Sequence, residues 1–174
     1  EIKVYIITVI LSVLIICFNI YPQVGNVEET FRLSLFQVAS IISTTGYSTT
    51  NFDMWPTLSK TILLFLMLFG ACAGSTAGGL KMSRIIILVK SAIRKIKVTI
   101  HPRKVETVYM DKKPISDETI NTVNGYFVIY FIILILCALL ISIDNYDITT
   151  NFTASLACIS NVGPGFNMVG PYGS

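Results

Sequence analysis

The residues from Thr119 to Ile143 form a stretch of 25 without a single charged side chain. A helix needs about 20 predominantly apolar residues to cross a bilayer. A second uncharged stretch, Val4 to Tyr21, is nearly as long. The chain of 174 residues is 53% hydrophobic and only 13% charged, with a mean hydropathy of +0.70, whereas soluble domains carry about 25% charged residues. The sequence therefore predicts an all-α integral membrane protein.

Two shorter apolar segments each follow one of these stretches and an acidic edge. The first covers residues 31–42 after the pair Glu28-Glu29, and the second covers residues 150–159 after Asp144 and Asp147. Segments of this length are too short to cross a bilayer, but they suit a re-entrant helix. We therefore expect two pore helices.

Each short segment runs into a polar string that contains glycine. The strings are Ser-Thr-Thr-Gly-Tyr-Ser at residues 43–48 and Ser-Asn-Val-Gly-Pro-Gly at residues 160–165. Gly46 and Gly163 are 117 residues apart, and superposing them aligns Ser43 with Ser160. The sequence therefore contains an internal repeat in which a span, a short helix and a string follow one another.

Potassium-channel filters have this layout, because their backbone carbonyls replace the water shell of the ion. Irregular backbone at membrane depth is tolerated only where it is buried or lines a cavity, and glycine supplies the conformational freedom. Two strings cannot encircle an ion with fourfold symmetry, so four repeats or a dimer are required. We predict that the ion path is lined by Thr44, Thr45, Gly46, Asn161, Val162 and Gly163.

A glycine-rich segment, residues 70–79, interrupts the apolar helix predicted to begin near Trp55-Pro56. Glycine weakens a helix by up to about 1 kcal/mol per residue relative to alanine. A phosphate loop is excluded because Leu80 stands where lysine is required, and a nucleophile elbow is excluded because alanines flank Ser75. Packing of small residues between helices stays open as an alternative. We expect a gating loop at membrane depth formed by Gly70, Gly74, Ser75, Thr76, Gly78 and Gly79.

The chain divides into one complete unit, a linker and one partial unit. It begins with Glu1 and ends without a closing helix, which favours a piece of a longer protein. The predicted bounds are residues 1–100 for the first unit (span 4–21, pore helix 31–42, string 43–48, broken helix 56–97), 101–118 for the linker, and 119–174 for the second unit (span 119–143, pore helix 150–159, string 160–165).

Positive charge is concentrated in one region. Ten of the 13 lysines and arginines lie between Lys81 and Lys113. Beside membrane spans such a region marks the cytoplasmic side, so we expect residues 81–113 to face the cytoplasm, where they contact anionic lipid or an acidic partner, and no nucleic acid. The linker, residues 101–118, is then cytoplasmic and basic. Both strings then open from the outer face.

The sequence contains no recognisable catalytic or metal site. It has one histidine and no clustered carboxylates in its spans, so we expect no enzyme and no covalent cofactor. The four cysteines are widely spaced in apolar segments and are predicted to be small buried hydrophobic residues, namely Cys17, Cys72, Cys137 and Cys158.

Five motifs together resemble the Trk/Ktr potassium-uptake family, and the resemblance covers essentially the whole chain. They are STTGYS (43–48), DMWP (53–56), GACAGSTAGGLK (70–81), HPRKV (101–105) and SNVGPG (160–165), followed by VGP (169–171). The family has four repeats of helix, pore helix, filter and helix in one subunit. This chain would match the third repeat and most of the fourth.

The resemblance implies a function and partners. The transported ligand would be potassium, coordinated at Thr44 and Thr45 in one string and at Asn161 and Val162 in the other, beside Gly46 and Gly163. It also implies a homodimer in the lipid bilayer of a bacterial inner membrane, with a cytosolic nucleotide-binding regulatory subunit. Open alternatives are a sodium-permeable relative, a two-filter subunit of a cation channel, and a non-conducting membrane scaffold.

Overall fold

The structure is a computed structural model that describes residues 1–101, 107–111 and 113–172. Its helices are α1 (Ile2–Val24), α2 (Val27–Ile42), α3 (Thr57–Leu68), α4 (Met82–Ile100), α5 (Asp117–Ile141) and α6 (Ile148–Ile159). Short 3₁₀ turns lie at Phe52–Met54, Ser142–Asp144 and Asn167–Val169. Four two-residue strands complete the described elements: β1 (Phe69–Gly70), β2 (Leu80–Lys81), β3 (Tyr109–Met110) and β4 (Lys113–Pro114).

Helices α1 and α5 are the two described helices that are long and apolar enough to cross a membrane. Only 22% and 11% of the residues in their most apolar windows are buried. A core helix of a soluble protein would be buried on most sides, so these two helices present their apolar surfaces to lipid or to other protein segments.

Helix α2 begins four residues earlier than the sequence predicted. The Asn26 side chain caps it by accepting a hydrogen bond from the Glu28 backbone N–H at 3.1 Å. Glu28 and Glu29 therefore lie in the first helical turn, where the helix dipole stabilises negative charge. The predicted acidic edge is thus the start of the helix itself.

Helix α3 ends at Leu68 and α4 begins at Met82. Between them, β1 and β2 pair in parallel, with Phe69 opposite Leu80 and Gly70 opposite Lys81. The glycine-rich segment is therefore not helical, and its two ends are held side by side. Pro56, expected at the first helical position, instead occupies the N-cap of α3.

Part of the predicted linker, residues 102–106 and Lys112, lies outside the described residues. In the described part, β3 and β4 form an antiparallel pair, and Val108 packs with Ile87 of α4 and with Ile120 and Val123 of α5. The Ser116 side chain caps α5 by accepting from the Thr119 backbone N–H at 3.3 Å.

The two units share one hydrophobic core. Ile16 and Ile20 of α1, Leu63 of α3, Leu134 of α5 and Leu156 of α6 belong to the same cluster and are fully buried. The prediction of four buried cysteines is wrong, because Cys158 is exposed and the other three are half-buried. Small size and apolar neighbours did not place them inside, since α1, α5 and α6 expose much of their apolar surface and Cys72 lies in the non-helical segment between α3 and α4.

Candidate functional site

The two Gly-containing strings leave their helices with the same backbone turn. Ser43 and Ser160, the C-caps of α2 and α6, both have φ −83° and ψ −4°. The next residues, Thr44 and Asn161, both adopt the left-handed conformation, with φ 57° and 55°. The repeat detected in the sequence is therefore also a repeat of backbone geometry.

Matched hydrogen bonds hold this turn in each string. The Thr45 N–H donates to the Ser40 carbonyl at 2.9 Å, and the Val162 N–H donates to the Ala157 carbonyl at 2.9 Å. Both bonds link residues five apart, so each string turns back over the end of its helix. The glycines follow at equivalent places, Gly46 with φ 77° and Gly163 with φ 107°.

The strings meet at Gly46. A Cβ added to Gly46 would lie 2.0 Å from the Val162 carbonyl oxygen and 3.2 Å from Cδ of Pro164. No side chain fits at that separation, so glycine is required at residue 46 both for its φ and for the close approach. At Gly163 an added Cβ meets nothing within 4 Å, so there only the φ favours glycine.

The residues beyond the strings also connect the two units. The Phe52 and Phe166 rings pack edge to face with centroids 5.5 Å apart. The Asp53 carboxylate accepts a hydrogen bond from the Asn167 N–H at 3.1 Å and lies 3.7 Å from the Lys60 ammonium. The two units are thus held together here by an apolar and a polar contact, while Lys60 pairs with Asp53 within the first unit.

The glycine-rich segment touches both strings through Gly78. The Gly78 N–H donates to Thr44 Oγ1 at 3.2 Å, and a Cβ added to Gly78 would lie 2.1 Å from the Ser160 carbonyl oxygen. Gly78 therefore lies beside the first residues of both strings, where α2 and α6 end. The sequence predicted a loop at membrane depth here, but it does not indicate which glycine contacts the strings.

Lys81 has a role that the sequence analysis missed. Its ammonium donates hydrogen bonds to the Ser75 carbonyl at 2.7 Å and to the Ala77 carbonyl. The Ala77 N–H in turn donates to the Ser75 side chain at 3.1 Å. By charge alone Lys81 belongs to the basic region of residues 81–113, whereas its contacts are with the glycine-rich segment.

Different side chains support the two strings. Ser40 donates to the Tyr47 carbonyl at 2.5 Å, and Ser48 donates to Gln37 Oε1 at 3.2 Å. In the second string, the Ser160 hydroxyl lies 2.8 Å from the Tyr130 hydroxyl. These supports were not identified from the sequence, since they depend on which helix faces pack together.

No group of three or more histidine, cysteine, aspartate or glutamate side chains that could hold a metal ion occurs within the described ranges. The ligands that the strings offer are backbone carbonyls and hydroxyls. Such neutral oxygen ligands suit an alkali cation that is bound and released, rather than a resident transition metal.

Comparison with known proteins gives consistent matches. The family model "TrkH: Cation transport protein" matches residues 2–169. The Trk system potassium uptake protein TrkH of Vibrio parahaemolyticus is 36% identical over 141 residues, which cover 81% of this chain and 29% of that protein. Its counterpart in Escherichia coli K12 is 32% identical over 162 residues, which cover 92% of this chain and 33% of that protein.

A solved structure also matches. The crystal structure of the potassium transporter TrkH from Vibrio parahaemolyticus superposes with a TM-score of 0.89 at 31% sequence identity, covering 99% of this chain and 37% of that chain. The chain thus spans about a third of the length of the relatives it matches. The match agrees with the predicted helical membrane architecture.

Proposed function

Since the chain belongs to the TrkH family of cation transport proteins, as its motifs predicted, we propose that it contributes two of the filter strings of a potassium uptake pathway. The family is one of transporters rather than enzymes. Because the chain covers only 29% of one such relative, transport is proposed for the intact protein. The observation that supports the proposal most is that two strings with the same backbone turn meet at Gly46 and Val162.

In this proposal α2 and α6 are pore helices and the strings are extended filter segments. The carbonyls of Thr44 and Thr45 and those of Asn161 and Val162 coordinate potassium, with Gly46 and Gly163 setting the backbone direction. Several carbonyls must act at once to replace the water shell of potassium. The remaining filter strings come from repeats outside this chain, as the four-repeat pattern of the family implies.

The glycine-rich segment acts as the gate in this proposal. Its support is the seating of Gly78 against Thr44 and Ser160, which puts the segment across the ends of both strings. The residues proposed to move are Gly70, Gly74, Ser75, Thr76, Gly78 and Gly79. Helix packing by small residues is a weaker explanation, since α3 stops at Leu68 and α4 starts at Met82.

Lys81 holds the proposed gate in its closed position. A lysine ammonium carries the same charge as potassium and, like it, is bound by carbonyl oxygens. The bonds from Lys81 to the Ser75 and Ala77 carbonyls fix the half of the segment that leads to Gly78. Opening then requires these bonds to break or to move with α4, the helix that begins at Met82.

The proposed setting is a bacterial inner membrane, with the basic linker in the cytoplasm. The charge pattern from Lys81 to Lys113 supports this orientation. The family resemblance supports a homodimer and a cytosolic nucleotide-binding regulatory subunit. Helix α4 is the described element best placed to transmit a regulatory signal, because it connects the basic linker, which begins at residue 101, to Lys81 in β2.

The substitution Gly46→Ser in the intact protein tests the proposal. It places a side chain against the Val162 carbonyl, so potassium uptake should fall by at least about tenfold, and the remaining transport should discriminate less between potassium and sodium. Uptake assays in potassium-uptake-deficient cells, with both ions measured, give the result. The size of the expected loss follows from the energetic cost of overpacking a closely packed site, roughly 1–3 kcal/mol or more.

The matched control is Gly125→Ser, because Gly125 lies in α5 and an added Cβ meets nothing within 4 Å. It should transport like the wild type. If Gly46→Ser reaches the membrane at normal abundance and keeps both the uptake rate and the ion preference of the wild type, residues 43–48 do not form a filter.

A further inference from the structure

Tyr130 and Ser160 form a buried pair of hydroxyls between a membrane-spanning helix and the second string. The two oxygens are 2.8 Å apart. Tyr130 is 6% exposed and Ser160 is fully buried. A buried tyrosine hydroxyl usually has a hydrogen-bond partner, and Ser160 is the partner that the structure gives it.

Ser160 lies where α6 ends and the second string begins. It is the C-cap of α6, and the next residue, Asn161, already has the left-handed conformation of the string. Its carbonyl oxygen is the atom that approaches Gly78 of the glycine-rich segment. A side chain that fixes Ser160 therefore fixes both the start of the second string and the surface on which Gly78 rests.

The first unit has no equivalent of this bond. The residue 117 positions before Tyr130 is Val13, which cannot form a hydrogen bond through its side chain. Ser43, the counterpart of Ser160, instead bonds locally to the Ala39 carbonyl at 2.6 Å and to the Thr45 hydroxyl at 2.6 Å.

The first unit supports its string from the pore helix instead. Gln37 and Ser40 of α2 hold Ser48 and the Tyr47 carbonyl. Their counterparts in α6 are Ala154 and Ala157, whose side chains form no hydrogen bonds. The second string thus lacks these two side-chain bonds. Its pore helix holds only the residue after the string, because Thr153 Oγ1 accepts from the Phe166 N–H at 3.1 Å, and α5 adds the bond from Tyr130 to Ser160.

From this asymmetry we infer that Tyr130 is a positioning residue for ion selection, an inference that rests on the proposed filter function. The Tyr130 hydroxyl holds Ser160 so that the carbonyls of Asn161 and Val162 keep the spacing that potassium requires. Tyr130 does not contact the ion in this account. It acts through Ser160, and its loss should loosen the second string while leaving the first unchanged.

The test is the substitution Tyr130→Phe in the intact protein, with the potassium-to-sodium permeability ratio as the readout. The ring is kept, so its packing against Phe131, with centroids 5.8 Å apart, remains. We expect the ratio to fall by roughly two- to tenfold, the factor that corresponds to the net contribution of one hydrogen bond. A variant that merely folds less well would lower both ion fluxes equally and leave the ratio unchanged.

Tyr126→Phe is the matched control, since Tyr126 lies one helical turn earlier on α5 and its ring centroid is 6.4 Å from that of Tyr130. It should keep the wild-type ratio. Ser160→Ala removes the same bond from the other side, so it should lower the ratio by a similar factor. Since both substitutions break one bond, the double variant should lose little more than either single variant.

The outcomes separate this inference from the proposed function. If the wild-type protein does not prefer potassium, the proposed function itself fails. If the wild type prefers potassium and both Tyr130→Phe and Ser160→Ala keep that preference, Tyr130 is not a positioning residue although the filter stands. Should Tyr130→Phe fail to accumulate in the membrane, Ser160→Ala alone decides between these results.

Discussion

The two string-bearing units have the same backbone turn but are stabilised by different side chains. Thr44 and Asn161 occupy the same left-handed position. Asparagine tolerates this conformation, whereas a β-branched threonine rarely adopts it. At Thr44 the surroundings offset the strain, because its hydroxyl accepts the Gly78 N–H. The repeat therefore preserves the backbone direction, while different side chains stabilise that direction in each unit.

Alanine substitutions of Gly46 and Gly163 should reveal the largest functional difference between the two units. Gly46→Ala places a methyl group against the Val162 carbonyl, whereas Gly163→Ala strains only the backbone, since its added Cβ meets nothing within 4 Å. Backbone strain of that kind costs about 1–3 kcal/mol, and the clash at Gly46 adds to it. We expect Gly46→Ala, like Gly46→Ser, to lower potassium uptake by at least about tenfold, and Gly163→Ala to lower it less in the same assay. Equal losses in the two variants would show that the contact between the strings does not matter.

Removing the proposed gate should have the next largest effect, and it should affect both units together. Deleting residues 74–77 removes the Ser75 and Ala77 carbonyls that Lys81 holds and shortens the segment that reaches Gly78. Potassium flux measured in proteoliposomes without a regulatory subunit should rise severalfold with ion preference unchanged. If a deletion variant is folded, as judged by gel filtration, and conducts no faster than the wild type, the glycine-rich segment does not act as a gate.

Lys81→Met is a milder form of the same test. It removes the ammonium but leaves the segment in place, so flux should rise less than in the deletion variant. Lys90→Met is the matched control, because Lys90 bonds to the Tyr109 carbonyl in the linker and not to the segment. If both lysine variants change flux alike, the effect comes from lost positive charge and not from release of the segment.

The side-chain supports of the strings should give the smallest effects. Ser40→Ala removes the bond to the Tyr47 carbonyl and should cost about 0.5–1.5 kcal/mol of stability, seen as a lower melting temperature of the detergent-solubilised protein. The exchange Ala157→Ser at the matching position of the other unit should give no gain, since Ala157 is only 1% exposed and an added hydroxyl there overpacks the core. A melting temperature unchanged by Ser40→Ala would show that the Ser40 bond does not support the string.

Local signals in the sequence predicted much of the fold. Charge-free length identified α1 and α5, the glycine cluster marked the break between α3 and α4, and the 117-residue spacing related Gly46 to Gly163. These features depend on residues near one another along the chain. The start of α2 differs from the prediction because charge alone does not distinguish an aqueous edge from the first turn of a helix, where the dipole stabilises Glu28 and Glu29.

The contacts around the strings could not be predicted in the same way. The bonds of Gly78 to Thr44 and of Tyr130 to Ser160 join residues 34 and 30 positions apart, and nothing in the local sequence distinguishes Tyr130 from Tyr126 beside it. Lys81 was assigned by its charge alone. Such roles follow from which helix faces pack together, which a single sequence does not reveal.

The central claim is that both strings coordinate the same ion, and crystallography of the intact protein with rubidium in place of potassium tests it most directly. Rubidium scatters anomalously and is bound by the same oxygen ligands. If both strings coordinate the ion, anomalous peaks lie between them, within coordinating distance of the carbonyl oxygens of Thr44, Thr45, Asn161 and Val162. Well-diffracting crystals whose rubidium peaks lie only elsewhere, with none between the strings, would contradict it.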